Sequence, residues 1–207
     1  PLARRWAGGH CGVRKGPGSV VRVQEPPVLR QVDPTRVLHG RRALVYFGGS
    51  DYLRLSWHAE VRGAHVRAVE EYGPSACASR MTTGNLPVYG ELEEALGRFF
   101  GVGGVALTSS GYLAPLVAVQ ALGPEHDVIL MDERAHACLV DAAAMSGLAV
   151  SRFAHRDAES LGVELGRLRG RVLVLTDGLF THSGEVAPLG AYLEALGLEP
   201  RSMALLH

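Results

Sequence analysis

The feature that most limits the fold is an alternation of short apolar runs with helical patterns, repeated from residue 105 onwards. Strands are predicted at 105–107, 127–131, 149–153 and 172–175, and helices at 112–122, 137–145, 158–168 and 191–196. Continuous apolar strands that alternate with helices are typical of a mainly parallel sheet with helices on both faces. The sequence therefore predicts an α/β fold.

Before this region the pattern is less regular. We predict an irregular segment over residues 1–28, an arm and helix over 29–74, and part of a large domain over 75–207. Within these ranges, further elements are predicted as a strand at 43–47, a helix at 58–72, a loop at 75–87 and a helix at 91–100. Gly73-Pro74 ends the first of these helices, because neither residue continues a helix well.

The composition excludes several classes of function. The chain has 21 basic and 21 acidic residues and no net charge, so neither nucleic acid nor an anionic membrane is predicted as a partner. The longest apolar runs are far too short to span a bilayer. The three cysteines form no CxxC pair and have no cluster of histidines nearby, so no metal site is predicted. Their odd number favours a reducing, cytoplasmic compartment.

Small or polar residues follow three of the predicted strands. Ser109-Ser110-Gly111 leads into a helix, where backbone N–H groups and the helix dipole attract an anion and glycine admits a phosphate. His136 opens the next helix, and an imidazole there can stack on a ring or transfer a proton. Asp177 and Thr181 flank a tight turn. Ligands of such sheets bind outside the carboxyl ends of the strands, so the motifs predict a site for a flat, phosphorylated cofactor.

Each of these motifs also has a plainer explanation. The serines preceding Gly111 fit an ordinary turn with a serine cap. His136 fits a histidine at a helix start whose ring is satisfied by the backbone. Asp177-Gly178 is a common turn pair. Taken one at a time, the residues leave both explanations open.

Six segments, in their order and spacing, resemble the α-oxoamine synthases, with the 8-amino-7-oxononanoate synthases and glycine C-acetyltransferases as the nearest groups. The segments are Asp51-Tyr52-Leu53-Arg54-Leu55, the sequence ASRMTTGN at 78–85, Ser110-Gly111-Tyr112, Asp132-Glu133 with His136, the sequence FAHRD at 153–157, and TDGLFT at 176–181 with GEVAPL at 184–189. The resemblance extends from about residue 29 to residue 189.

The resemblance implies a fold and a reaction. The fold is fold type I of the pyridoxal-phosphate-dependent transferases, whose large domain is a three-layer structure around a mostly parallel sheet. The reaction condenses an amino acid (alanine, glycine or serine) with an acyl-CoA to a 2-amino ketone and releases CO2 and CoA, as in biotin synthesis. The cofactor is pyridoxal 5'-phosphate, and the whole enzyme is a homodimer.

The resemblance also implies roles for individual residues. Gly111 and Tyr112 would contact the cofactor phosphate through their backbone. His136 would stack on the pyridine ring and act as the catalytic residue of the proton and decarboxylation steps. Thr181 stands where the family usually has a serine that contacts the cofactor oxygen. Arg30 matches an arginine near the substrate carboxylate or acyl tail.

The chain departs from the family pattern in two respects. Ser50 and Arg54 stand where the family's Asn-Asp-Tyr-Leu-Gly motif has asparagine and glycine. The family's downstream Asp-Asp-Ala-His strand, its Schiff-base lysine and its small C-terminal domain have no counterpart, and the one lysine is Lys15. We therefore expect a C-terminally truncated large domain, and a chain that is inactive alone.

Two other functions stay open. The chain is also compatible with a non-catalytic partner chain of such an enzyme, or with another fold-type-I enzyme such as an aldolase or an aminotransferase. The Ser-Arg-Met-Thr-Thr-Gly-Asn loop at 79–85 and the Asp-Tyr-Leu segment at 51–53 favour a synthase over the latter.

Overall fold

A computed structural model of the chain describes residues 26–197 and the backbone of Val13–Arg14 and Val20–Val21. The chain divides into two compact units, Pro1–Leu86 and Pro87–His207. The sequence places the start of the large domain at residue 75, whereas the second compact unit starts at Pro87. Most of the predicted irregular segment at 1–28 lies outside the described residues.

The first unit contains an antiparallel sheet that the sequence did not predict. A hairpin of β1 (Val13–Arg14) and β2 (Val20–Val21) precedes a three-stranded sheet of β3 (Leu29–Asp33), β4 (Arg36–His39) and β5 (Arg42–Val45). The strand predicted at 43–47 is confirmed as β5, whereas the arm predicted before it is wrong, because that segment forms β3 and β4. These strands are short and mostly exposed, with charged residues among the apolar ones, so they lack the apolar run by which strands were recognised.

Helix α1 (Ala59–Tyr72) follows a short 3-10 helix at Leu55–Trp57. Arg54, just before that 3-10 helix, has a φ of 55°, in the left-handed region that favours glycine. This conformation explains why the corresponding position of the Asn-Asp-Tyr-Leu-Gly motif is a glycine. The Arg54 guanidinium donates a hydrogen bond of 2.9 Å to the carbonyl of Tyr46, which stabilises the turn.

The loop that precedes the second unit folds back on itself at Gly84. The Gly84 N–H donates to the carbonyl of Ser79 at 3.0 Å, and a Cβ at Gly84 would lie 2.2 Å from the carbonyl oxygen of Ala78. Only glycine fits such a close approach of two backbone segments. Arg80 and Asn85 add a side-chain hydrogen bond of 2.9 Å, so the loop has a defined shape of its own.

The second unit is built around a parallel sheet. Its elements are α2 (Pro87–Phe100), α3 (Leu113–Leu122), β6 (Val128–Asp132), α4 (Ala137–Ser146), β7 (Ala149–Phe153), α5 (Ala158–Arg167), β8 (Val172–Leu175), β9 (Leu179–Phe180), β10 (Glu185–Val186) and α6 (Leu189–Ala195). The strand order is β7-β6-β8, and β6 pairs in parallel with both neighbours. Strands β9 and β10 form a short antiparallel hairpin. The predicted parallel α/β arrangement is confirmed.

Helices cover both faces of this sheet, as the continuous apolar strands predict. On one face, Ile129 and Met131 pack with α3 and α4. On the other face, Leu130 packs with Phe153 and with residues of α5 and α6. Successive residues of a strand point to opposite faces, so the single apolar run of β6 fills two cores.

One predicted strand is not formed. Residues 105–107 are apolar, but they have no regular structure in the second unit. A strand needs a neighbour with which to exchange backbone hydrogen bonds, and none of the strands in the described part of the chain pairs with this segment. The apolar run at 105–107 alone is therefore not enough to predict a strand.

Leu139→Ala tests the packing of α4 on the sheet. The Leu139 side chain is fully buried, so we expect the free energy of unfolding to fall by about 2–5 kcal/mol in a urea titration. Val117→Ala on α3 is the matched control, because Val117 is 53% exposed, and its effect should stay below about 1 kcal/mol. Equal effects of the two substitutions would contradict the predicted core.

Tyr192→Phe tests the second core. The Tyr192 hydroxyl is buried and has no hydrogen-bond partner among the described residues, so its removal relieves an unsatisfied polar group and should raise the free energy of unfolding, or leave it unchanged, within about 1 kcal/mol at neutral pH. Burial raises the pKa of Tyr192 to about 12 from its ordinary value of 10, because the charged form is disfavoured there.

The raised pKa also sets the direction of an alkaline effect. The folded state holds the tyrosine proton more tightly than the unfolded state, so the associated stability is complete below pH 10 and is lost as pH rises to about 12. Urea titrations over this range should show a smaller alkaline loss for Tyr192→Phe than for the wild type. A variant with an unchanged alkaline profile would show that Tyr192 is not responsible.

Candidate functional site

A cavity of about 410 Å³ opens at the carboxyl end of the parallel sheet. It lies between the loop after β6, the loop after β7, and the turn that joins β9 to β10. Its lining residues are Arg134, Ala135, His136, His155, Asp177, Phe180, Thr181, His182 and Ser183. The cavity therefore brings together residues predicted from two separate strand ends, His136 and Thr181.

His136 caps the start of α4. Its Nδ1 accepts a hydrogen bond of 3.3 Å from the Cys138 N–H and lies 2.9 Å from the Cys138 sulfur. A nitrogen that accepts carries no proton, so the proton of a neutral ring is on Nε2. Burial, followed by the charge of Asp177, raises the pKa of the Cys138 thiol. The thiol therefore keeps its proton and remains a donor toward Nδ1.

Asp177 holds the backbone at His136 in place. Its carboxylate follows β8, is almost fully buried, and accepts a hydrogen bond of 2.8 Å from the His136 N–H. The bond joins the loops after β6 and β8, which are 41 residues apart in the sequence. The sequence pattern predicts Asp177 only as part of a turn, and the structure adds its role as a link between two loops.

Gly111 and Tyr112 lie just before α3 and, unlike His136 and Thr181, are not among the residues that line the cavity. The rings of Tyr112 and His136 meet edge to face, with centroids 6.4 Å apart. The Tyr112 hydroxyl donates a hydrogen bond to Asp141 on α4, and this bond raises the pKa of Tyr112. A Cβ built on Gly111 would meet nothing within 4 Å, so there is open space at the helix start. The first N–H group of α3 is capped, because the Leu113 N–H donates to the Ser110 carbonyl at 3.1 Å and to the Ser110 hydroxyl at 3.3 Å, as in the plainer explanation of a serine cap.

Thr181 lies in the turn between β9 and β10. The turn is closed by hydrogen bonds of 3.2 and 2.8 Å from the N–H groups of Ser183 and Gly184 to the carbonyl of Phe180. Gly184 has a φ of 72°, which the turn requires and glycine permits. Thr181 is exposed on the cavity wall, where its hydroxyl is accessible to a ligand.

Arg30 lies in the first unit. It is an exposed residue of β3 and pairs with Leu38 of β4. Its assignment to the substrate carboxylate or acyl tail stays a prediction.

The sequence reasoning missed a polar network on the same cavity. The Asp132 carboxylate accepts hydrogen bonds from the N–H groups of Arg134 (2.8 Å) and Arg156 (3.1 Å), and His155 Nδ1 lies 2.9 Å from it. His155 and Arg156 also face Glu185 of β10. A signal was present, because His155 follows β7 in the same way that His136 follows β6.

Comparison with known proteins identifies the family. The chain matches the model of the aminotransferase class I and II family over residues 44–203. The chain belongs to this family. It is 42% identical over 155 residues to an 8-amino-7-oxononanoate synthase of Methylobacterium radiotolerans, and 37% identical over 172 residues to that of Pseudomonas syringae pv. tomato. These alignments cover 73% and 83% of the chain but only 41% and 43% of the relatives.

Solved structures agree with this assignment. The serine palmitoyltransferase of Sphingomonas wittichii superposes with a TM-score of 0.79 at 28% identity, over 84% of this chain and 45% of that one. A serine palmitoyltransferase from S. paucimobilis with a bound PLP–myriocin aldimine gives a TM-score of 0.78 at 28% identity, over 83% and 44%. The predicted resemblance to the α-oxoamine synthases, the fold type I and the cofactor of the family, pyridoxal phosphate, are thereby confirmed. The chain spans less than half the length of the relatives it matches.

None of the helices in residues 26–197 combines the length and the apolar character needed to cross a bilayer. The predicted cytoplasmic location stays a prediction.

Asp177→Ala tests the link between the two loops. Loss of the carboxylate leaves the buried His136 N–H without this acceptor, so the free energy of unfolding should fall by about 1–3 kcal/mol. Asp177→Asn is the matched control, because its amide oxygen can still accept, and it should retain most of that stability. The measurement is a urea titration at pH 7, and equal losses for both variants would contradict a role of the hydrogen bond itself.

Proposed function

We propose that this chain is part of a pyridoxal-phosphate-dependent acyltransferase that condenses an amino acid (alanine, glycine or serine) with an acyl-CoA. The products would be a 2-amino ketone, CO2 and CoA, as in the 8-amino-7-oxononanoate synthases that the chain resembles. The observation that carries the proposal is the cavity shared by His136, Asp177 and Thr181 at the carboxyl end of the sheet. By the same resemblance, the complete enzyme would be a cytoplasmic homodimer.

The residues present fit the cofactor on the evidence of the donor set. The segment at Gly111 and Tyr112, just before α3, offers open space and the positive end of the helix dipole for a phosphate, while the Leu113 N–H is already bonded to Ser110. His136 offers a flat ring on the cavity wall, with a backbone held by Asp177. Thr181 offers a hydroxyl as donor or acceptor for a ring oxygen. When bound, the cofactor would supply an electron sink for bond cleavage at the amino acid.

The hydrogen bond to Nδ1 selects one tautomer of the neutral His136 ring. Because its Nδ1 accepts from Cys138, a neutral ring carries its proton on Nε2 and offers that edge as a hydrogen-bond donor. The cap on α4 also fixes the plane of the ring. His136 would therefore hold the cofactor ring by stacking and hold a proton at Nε2, without needing to rotate.

We further propose that the 207-residue chain does not catalyse the condensation alone. Its one lysine, Lys15, lies outside the described residues, and no lysine occurs among the segments that form the cavity. Binding of the cofactor would then rest on the helix start and on stacking. The dipole at an exposed helix start contributes only about 1 kcal/mol or less, so this binding is expected to be weak.

Binding of pyridoxine 5'-phosphate tests the cofactor site without any reaction at an amine, because this alcohol has no aldehyde. We expect weak binding in equilibrium dialysis, and about five- to ten-fold weaker binding by His136→Ala through loss of stacking. His65→Ala, an exposed histidine of α1, is the control and should bind as the wild type does. Pyridoxine, which lacks the phosphate, should bind more weakly than its phosphate.

Three results would each overturn one of these proposals. Equal binding of pyridoxine and its phosphate would exclude a phosphate site at the start of α3, and an unaffected His136→Ala variant would exclude stacking. CoA release from an acyl-CoA with alanine, glycine or serine by this chain alone would overturn the proposed lack of activity.

A further inference from the structure

His155 connects the end of the central strand to the hairpin that carries Thr181. Its Nδ1 lies 2.9 Å from Asp132 Oδ1, and its Nε2 lies 3.7 Å from Glu185 Oε2 on β10. A carboxylate accepts and does not donate, so the Nδ1–H donates a hydrogen bond to Asp132, and the contact of Nε2 with Glu185 is attractive only when Nε2 also carries a proton. The histidine side chain is only 12% exposed and Asp132 is fully buried, so this is a charge-assisted bond shielded from water.

Contacts with neighbouring segments hold the ring of His155 in place. The ring packs edge to face on Phe180 of β9, with centroids 4.3 Å apart. Its backbone N–H donates a hydrogen bond of 3.3 Å to Glu133 Oε1. The imidazole of His155 thus contacts Asp132 of β6, Phe180 of β9 and Glu185 of β10.

Arg156 adds a second connection to the same hairpin. Its guanidinium lies 2.5 Å from Glu185 Oε1 and donates a hydrogen bond of 3.1 Å to the carbonyl of Val186. A hydrogen bond from the Ser183 hydroxyl, followed by the charge of Arg156, lowers the pKa of Glu185, so its carboxylate stays charged at neutral pH. Two short strands of two residues each cannot hold a hairpin by pairing alone, so these side-chain contacts are needed.

We propose that His155 is a positioning residue, which bridges Asp132 and Glu185 and thereby holds the β9–β10 turn, with Thr181, at the wall of the cofactor cavity. His155 lines the cavity, but its proposed effect on a bound ligand is indirect, because it acts by holding the β9–β10 hairpin in position. The effect of His155 on cofactor binding rests on the function proposed above, whereas its effect on the hairpin does not. An amide side chain cannot replace it, since one end of an amide accepts and would face a carboxylate.

Hydrogen exchange of the full chain tests the bridge directly. In His155→Ala, amide exchange in residues 179–186 should become about ten-fold faster, because the hairpin loses a bond to a charged group. Glu185→Gln, which keeps the size of the side chain and removes its charge, should change the same residues in the same direction. His65→Ala should leave them unchanged. If His155→Ala does not fold, as judged by circular dichroism, His155→Gln takes its place.

Binding of pyridoxine 5'-phosphate gives the second measurement. The dissociation constant should rise about five-fold in His155→Ala, and free imidazole should restore both binding and exchange protection, because the truncated side chain leaves its space open to the cavity. A general loss of packing would not be repaired by imidazole. Restoration by imidazole in the His155→Ala variant, but not in Glu185→Gln, therefore supports the bridge.

The outcomes separate this proposal from the proposed function. Unchanged exchange in residues 179–186 in both variants would overturn the bridge, whether or not the wild type binds the phosphate. Faster exchange with an unchanged dissociation constant would overturn the link between hairpin and ligand. Absence of binding by the wild type would overturn the cofactor site, while faster exchange in the variants would still support the bridge.

Discussion

The second unit depends on the burial of β6. All five of its residues are buried, it is hydrogen-bonded to a strand on each edge, and helices cover both of its faces. Its last residue, Asp132, is thereby carried into the interior as a carboxylate. A buried carboxylate must be hydrogen-bonded, and two backbone N–H groups and His155 meet that need. The polar network around Asp132 therefore forms because the central strand ends in a buried carboxylate.

Most of the second unit was predictable, because its signals are long and regular. The strands at 149–153 and 172–175 were placed correctly, and the helices α4 and α5 within a residue or two. Apolar runs of this kind are needed by any strand buried on both faces. The hairpin β9–β10 has two residues per strand, which is too short for any periodicity to show. The segment at 105–107 failed for the opposite reason, since its pattern is clear but its pairing is missing among the described strands.

The site was predictable in part for a similar reason. His136 and Thr181 follow strands, and a parallel sheet brings the carboxyl ends of its strands to one edge, so their meeting in one cavity follows from the fold. In the sequence, His155 is recognisable only as part of the FAHRD motif at 153–157. Its contact with Asp132 depends on β7 lying next to β6. The strand order β7-β6-β8 cannot be predicted from the spacing of apolar residues, because that spacing locates strands but does not say which of them pair. The hydrogen bond of Asp177 depends on the same order.

The strand order also has a consequence for the course of folding. β7 follows β6 after one helix, whereas β8 reaches the other edge of β6 only after a second helix, with Val128 paired to Val172. Closing the longer loop costs more chain entropy and comes with a higher contact order. The bond between Asp177 and His136 lies just beyond that last pairing. The contact between His136 and Asp177 therefore requires β8 to be paired with β6, and a chain that has formed only the crossover from β6 to β7 lacks this part of the cavity and also the core residues Leu173 and Leu175.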